Sequence, residues 1–200
     1  IPNPSTVSPS NKKYRIQFYN KSRMDIHVYF MHKEMIDGRE LLLSEDLKLL
    51  CGPPPIHAHR VKNTTYTRDG YWHIIKDYCI KNNLQTNINT ETYIPDQKLQ
   101  SLLKIHPTTR INEHNIQQFL EKHYIHFNQE NITHYVQHLK PLKILKPYNL
   151  SNRQHGINTY LGHTFVCGFY TDKYPFPNNF KLVDIVKVQY PYEERILEVK

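Results

Sequence analysis

Cysteine is scarce in this chain: Cys51, Cys79 and Cys167 form no CxxC pair and follow no regular spacing. An odd count argues against a disulfide-stapled secreted scaffold and leaves room for one pair at most. Long apolar runs are missing as well, and none approaches the length of a membrane span. No signal-peptide pattern opens the sequence. The start, Ile-Pro-Asn-Pro without a methionine, reads as a piece of a longer protein or a processed form. Lys and Arg never form a run of five, so the net charge of +8 reads as a solvated basic surface, and nucleic acid is not the expected partner. There is no HExxH, no glycine-rich phosphate loop, no GxSxG, no His-x-Asp and no Cys–His pairing with local support. No catalytic residue, cofactor or metal site is therefore assigned, and the chain is expected to be non-enzymatic.

Two hundred residues with 38% hydrophobic content suffice for one domain, or one domain carrying a large insertion. Residues 1–12 are rich in Pro, Ser and Asn and read as a tail or linker. Tyr14, Ile16 and Phe18 alternate with polar residues. After the turn at Asn20-Lys-Ser, so do Met24, Ile26, Val28 and Phe30. Asp37-Gly38 signals a hairpin, with Leu41 to Leu43 returning. The first 50 residues thus read as a β meander. Past Cys51-Gly-Pro-Pro-Pro the period changes to that of helices. Tyr71 to Lys81 carries Trp72, Ile75 and Cys79. Leu99, Leu102, Leu103 and His106 follow Pro95-Asp96. Two further stripes are Ile116, Phe119, Leu120, His123, Tyr124 and Ile132, Tyr135, Val136, Leu139. From Tyr148 the period returns to two, with strands at 157–169 and through Leu182, Val186, Val188 and Tyr190. Tyr192 onward suits either a strand or the start of a helix.

The expected fold is therefore α+β: a small antiparallel β-sandwich built from 13–50 and 148–192, interrupted by a helical insertion of about 100 residues at 51–147. Residues 193–200 begin a further, truncated C-terminal element. His57-Ala-His59 has the spacing of two metal ligands but no third ligand in view, and is read as incidental. Sequons at Asn20, Asn63, Asn131 and Asn149 hint at secretion, while the odd cysteine count points inside the cell.

Most of the chemistry gathers in residues 155–170, His-Gly-Ile-Asn-Thr-Tyr-Leu-Gly-His-Thr-Phe-Val-Cys-Gly-Phe-Tyr. If this is one strand, alternation places Thr159, Leu161, His163 and Phe165 on one face. A hydroxyl and an imidazole beside an aromatic ring can hold a small polar group within apolar walls. The same residues also suit a buried strand whose histidine is satisfied by a neighbour.

Three segments resemble the β domain of the von Hippel–Lindau tumour suppressor family. They are Ile16-Gln-Phe-Tyr-Asn-Lys-Ser with Ile26-His-Val-Tyr-Phe, Ile157-Asn-Thr-Tyr-Leu-Gly-His-Thr-Phe, and Val188-Gln-Tyr-Pro-Tyr-Glu-Glu-Arg-Ile-Leu-Glu-Val. The resemblance implies a peptide-recognition module that reads 4-hydroxyproline. Thr159 and His163 would hold the hydroxyl, Phe165 and Tyr29 would wall the ring, and Tyr160 would flank the site. The implied partner is an extended, prolyl-hydroxylated peptide or protein. The competing expectation is an ancillary domain that positions substrate for a larger oxygenase or transferase.

Overall fold

The structure is a computed structural model and describes residues 12–39, 41–51, 60–61, 65–87 and 89–200. His57, His59, Asn63 and nearly all of the expected N-terminal tail lie outside the described residues. In chain order the elements are β1 (Lys13–Asn20), β2 (Ile26–Met31), α1 (Lys33–Ile36), β3 (Leu42–Leu43), α2 (Glu45–Cys51), β4 (Arg60–Val61) and β5 (Thr65–Tyr66). Then come α3 (Arg68–Lys81), α4 (Gln97–Leu103), α5 (Ile116–Leu120), β6 (Tyr124–Ile125) and α6 (Ile132–Tyr135). β7 (Lys140–Leu145), β8 (Gln154–Tyr160), β9 (Thr164–Tyr170), β10 (Phe180–Lys187) and β11 (Tyr192–Leu197) complete the chain. The content is mixed α and β, with mainly antiparallel sheets.

The chain divides into two compact units. The first comprises the residues up to Ile36 together with Ile132–Lys200; the second is Asp37–Asn131. The first unit holds a three-stranded sheet, β11-β1-β8, and a four-stranded sheet, β10-β9-β2-β7. β1 runs antiparallel to β8 and parallel to β11, so the smaller sheet is not purely antiparallel. Both sheets feed one apolar cluster. Ile16 and Phe18 enter from β1, Ile26 and Val28 from β2, and Phe165 and Cys167 from β9. The rings of Phe18 and Phe165 meet edge to face at 5.8 Å, a favoured aromatic geometry.

Several sequence expectations are corrected here. β1 does not pair with β2, and Leu42 and Leu43 pair with Ile125 and Tyr124 instead of returning to β2. The opening residues are therefore no meander: Gly38 does adopt a turn backbone at φ +72°, but helix α1 precedes it, not a strand. Residues 140–145, assigned to the helical insertion, form β7. Among the described residues it pairs only with β2, and Pro141 is tolerated because an edge strand needs no donor on its open side. The intervening unit Asp37–Asn131 starts and stops earlier than 51–147, and it mixes short strands with its helices. Of the two readings left open for Tyr192 onward, the strand holds: Tyr192–Leu197 is laid beside β1 and is part of the sheet, not a separate C-terminal element.

Within the second unit the helical reading holds best where caps accompany periodicity. Thr67 caps α3 by accepting from the Gly70 amide at 3.1 Å, and Asp96 caps α4 by accepting from Leu99 at 2.8 Å. Trp72, Ile75 and Cys79 of α3 are buried with Leu99, Leu103, Ile116 and Leu120. The stripe ending at Tyr124 is interrupted: a 3₁₀ turn at Glu121–His123 carries the chain into β6.

The turn from β1 to β2 depends on one buried amide. Asn20 is fully buried. Its Nδ2 lies 2.7 Å from the carbonyl of Met24, 3.0 Å from that of Leu145 and 2.9 Å from that of Lys146. Its Oδ1 accepts from the amide and hydroxyl of Ser22 at 2.9 and 2.6 Å. This sequon asparagine is thus consumed by the fold. Stranding a buried partner costs roughly 1–3 kcal/mol. Asn20→Ala is expected to lower unfolding stability by at least about 2 kcal/mol in a urea titration; a shift under about 0.5 kcal/mol would show that water replaces the amide.

Candidate functional site

Residues 155–170 form two strands, not one. β8 belongs to the three-stranded sheet and β9 to the four-stranded sheet, with Leu161, Gly162 and His163 carrying the chain between them. Gly162 takes φ +83°, a region that side-chain-bearing residues rarely enter. The turn is tied to the strand end beyond β10. The Gly162 amide donates to Val188 O at 3.0 Å, and Val188 N donates back to His163 O at 2.9 Å. Thr159 and His163 are therefore brought together by a tight turn, not by alternation along one ribbon.

The result is a direct contact: Thr159 Oγ1 lies 2.9 Å from His163 Nδ1. Thr159 is 4% exposed. His163 is half-buried and lines a cleft of about 670 Å³ with Phe30, Glu34, Tyr160 and Leu161. The His163 ring is braced edge-on by Phe30 at 5.0 Å and by Tyr160 at 5.5 Å. Burial pushes its pKa below the ordinary 6.5, and the Glu34 carboxylate opposes this. The imidazole is thus neutral near pH 7, with one ring nitrogen engaged by Thr159.

The other expected site residues are placed as follows. Tyr160 borders the cleft and is exposed. Phe165 is 1% exposed and sits one layer back, 5.8 Å from Phe30, so it supports the wall without lining it. Tyr29 is not brought to the cleft; the ring there is Phe30. The register explains this. Phe30 lies opposite Phe165 across the β2–β9 ladder, and strand alternation sends Tyr29 to the other face. Tyr29 shares a hydroxyl contact of 2.6 Å with Tyr170 there. Phe30 and Glu34 are cleft residues that the sequence reading missed, whereas Leu161 was already placed on the face of Thr159 and His163. The alternating strand Ile26–Phe30 was visible, but which of its faces meets His163 depends on pairing.

No protein-family model and no curated protein matches the sequence. Among the described residues, no helix is long and apolar enough to cross a membrane, and no group of three or more His, Cys, Asp or Glu is placed to hold a metal ion.

Burial is the largest cause lowering the pKa of His27 and His155 as well as His163. Below the ordinary value of 6.5 the unfolded chain then binds protons that the folded chain refuses. The contribution of these histidines to stability should be level just above that pH and should fall as pH drops below 6.5. Thermal melts followed by circular dichroism across this range check the sign; a Tm that rises on acidification would contradict it.

Proposed function

We propose that the first unit is a β-sandwich recognition module that reads the hydroxyl of a hydroxyproline in an extended peptide or protein partner. The two sheets are read as the layers of that sandwich, and the cleft beside His163 as its ligand site. The observation that carries this reading is the Thr159–His163 contact of 2.9 Å at the edge of an open, ring-lined cleft. The resemblance of Ile157 to Phe165 to a hydroxyproline-reading strand points the same way.

The chemistry follows from the division of labour within the pair. When the Thr159 hydroxyl donates to Nδ1, the neutral imidazole carries its proton on Nε2. That N–H is the donor offered to an incoming hydroxyl oxygen. Thr159, being buried, acts as a positioning residue that sets the tautomer, and His163 makes the contact. The pyrrolidine ring packs against Phe30 and Tyr160. An unhydroxylated proline fills the same space but leaves the donor dry and unpartnered. That costs roughly 1–3 kcal/mol, or on the order of 5- to 150-fold in affinity.

The test is fluorescence anisotropy with two otherwise identical labelled peptides, one carrying 4-hydroxyproline and the other proline. The hydroxylated peptide is expected to bind at least about fivefold more tightly. His163→Ala should abolish the preference, Thr159→Val should reduce it, and Tyr160→Ala should weaken both peptides together. Equal affinities in the unaltered protein, or a preference that survives His163→Ala, would overturn the reading.

A further inference from the structure

The two ends of β8 lie at opposite ends of the first unit. Tyr160 borders the His163 cleft and sits opposite Lys13, at the start of β1, while Gln154 sits opposite Tyr19, near its finish. At that second end two loops meet: residues 21–25 between β1 and β2, and residues 146–153 between β7 and β8. Asn20 N donates to Arg153 O at 2.8 Å and Tyr148 N to Ser22 O at 3.0 Å, which joins the loops. Within the longer loop, Lys146 N donates to Asn152 O at 3.1 Å and Leu150 N to Pro147 O at 2.9 Å. The buried Asn20 amide, bonded to the carbonyls of Met24, Leu145 and Lys146, anchors both.

Cations crowd this end. The two loops hold Lys21, Arg23, Lys146 and Arg153 against a single carboxylate, Asp25. Asp25 is taken by Lys146 at 3.5 Å. The other three cations form no ion pair among the described residues. The end of β11 also reaches this side, where Lys21 N donates to Leu197 O at 3.0 Å, but its Glu198 is offset by Lys200. Lys21 and Arg153 converge instead on one ring. The Lys21 ammonium lies 4.4 Å from the centre of Tyr148, and the Arg153 guanidinium 4.8 Å from it. Arg153 Nη1 also donates to the Tyr148 carbonyl at 3.2 Å. Cation–π attraction holds these charges in place without neutralising them. Two residues further on, Leu150 is 58% exposed, the most of any described leucine.

We propose that this end of the first unit docks on the surface of a bilayer that contains anionic phospholipids. Leu150 enters the boundary between headgroups and acyl chains, and the Tyr148 ring sits at headgroup level. Lys21, Arg23 and Arg153 face the negative headgroups around them. Charge complementarity selects this occupant, because a bilayer supplies both the anions and an apolar phase for the leucine. A nucleic acid supplies the anions alone, and a ring already engaged by two cations is a poor stacking platform for a base. Each cation at an anionic surface is worth about fivefold in binding, and burial of Leu150 about tenfold. The arrangement leaves the His163 cleft clear. At about 3.3 Å per residue, β8 carries the chain about 20 Å from Gln154 to Tyr160. A unit docked through Leu150 therefore presents its cleft away from the membrane.

The experiment is sedimentation of the full chain with phosphatidylcholine vesicles, with and without phosphatidylserine, at low and high salt. Binding to the phosphatidylserine vesicles is expected, at least about tenfold tighter than to phosphatidylcholine alone and weaker as salt rises. Leu150→Ser, a change at an exposed side chain, should weaken binding about tenfold. Arg23→Glu should weaken it at least about fivefold. Lys187→Glu makes the same change of charge at the cleft end, opposite Thr164, and should leave binding within about twofold. Indifference to Leu150→Ser, or an equal loss from Lys187→Glu, would overturn the proposal, because the net charge of +8 would then account for adhesion. So would failure to sediment with either vesicle, including the case in which a single-stranded oligonucleotide binds instead and Arg23→Glu removes it.

Discussion

The passage of the chain from one sheet to the other at Leu161, Gly162 and His163 is the constraint on which the candidate site depends. A strand continued through these residues would leave Thr159 and His163 two pleats apart. The left-handed glycine instead folds β9 back from β8, and the exchange of backbone hydrogen bonds with Val188 holds the turn in place. The hydroxyl–imidazole contact follows from that geometry. The same short connection ties β1 and β8 to β2 and β9, so the core around Phe18 and Phe165 and the cleft at its edge share one hinge of covalent chain.

β2 is the second organising element. As a strand between β9 and β7 it is buried on both faces, and each face meets different neighbours. Ile26 and Val28 fill the core, with Phe30 at the rim against His163. His27 and Tyr29 lie on the other face, among the rings of Tyr170, Tyr174 and Phe180. Neutral, desolvated groups dominate both places: His163 and His27 are held below the ordinary histidine range, and Tyr29 above the ordinary tyrosine range. Such groups act as hydrogen-bond donors and acceptors near pH 7 and not as charges. The basic character of the chain sits at the periphery, on side chains such as Lys143 and Lys146.

Much of the local structure was legible because several signals agreed. β1 has strict alternation, α3 shows helical spacing at Trp72, Ile75 and Cys79, and α4 pairs an aspartate cap with buried leucines. β7 was hidden because two neighbouring prolines and a preceding amphipathic stripe imitate the end of a helix, whereas an edge position makes Pro141 acceptable. The Leu41 to Leu43 segment looked like a hairpin return because Asp-Gly is a strong turn signal. Pairing with β6 was invisible, since it joins residues some eighty positions apart. Of the candidate site, His163, Thr159 and Tyr160 were visible as residue types. Phe30 was concealed behind its neighbour, because a strand reveals that its two faces differ without revealing which one meets a given histidine.

The amino-acid sequence by itself determined the periods, the caps, the turn glycine and the set of chemical groups available, because these depend on residues within a few positions of one another. Only the tertiary structure decided which strands pair, that one apparent strand is two, and that Phe30 and not Tyr29 borders the cleft. Those outcomes rest on register between distant segments, and register is chosen by how complete cores pack, a sum over contacts that no local stretch contains.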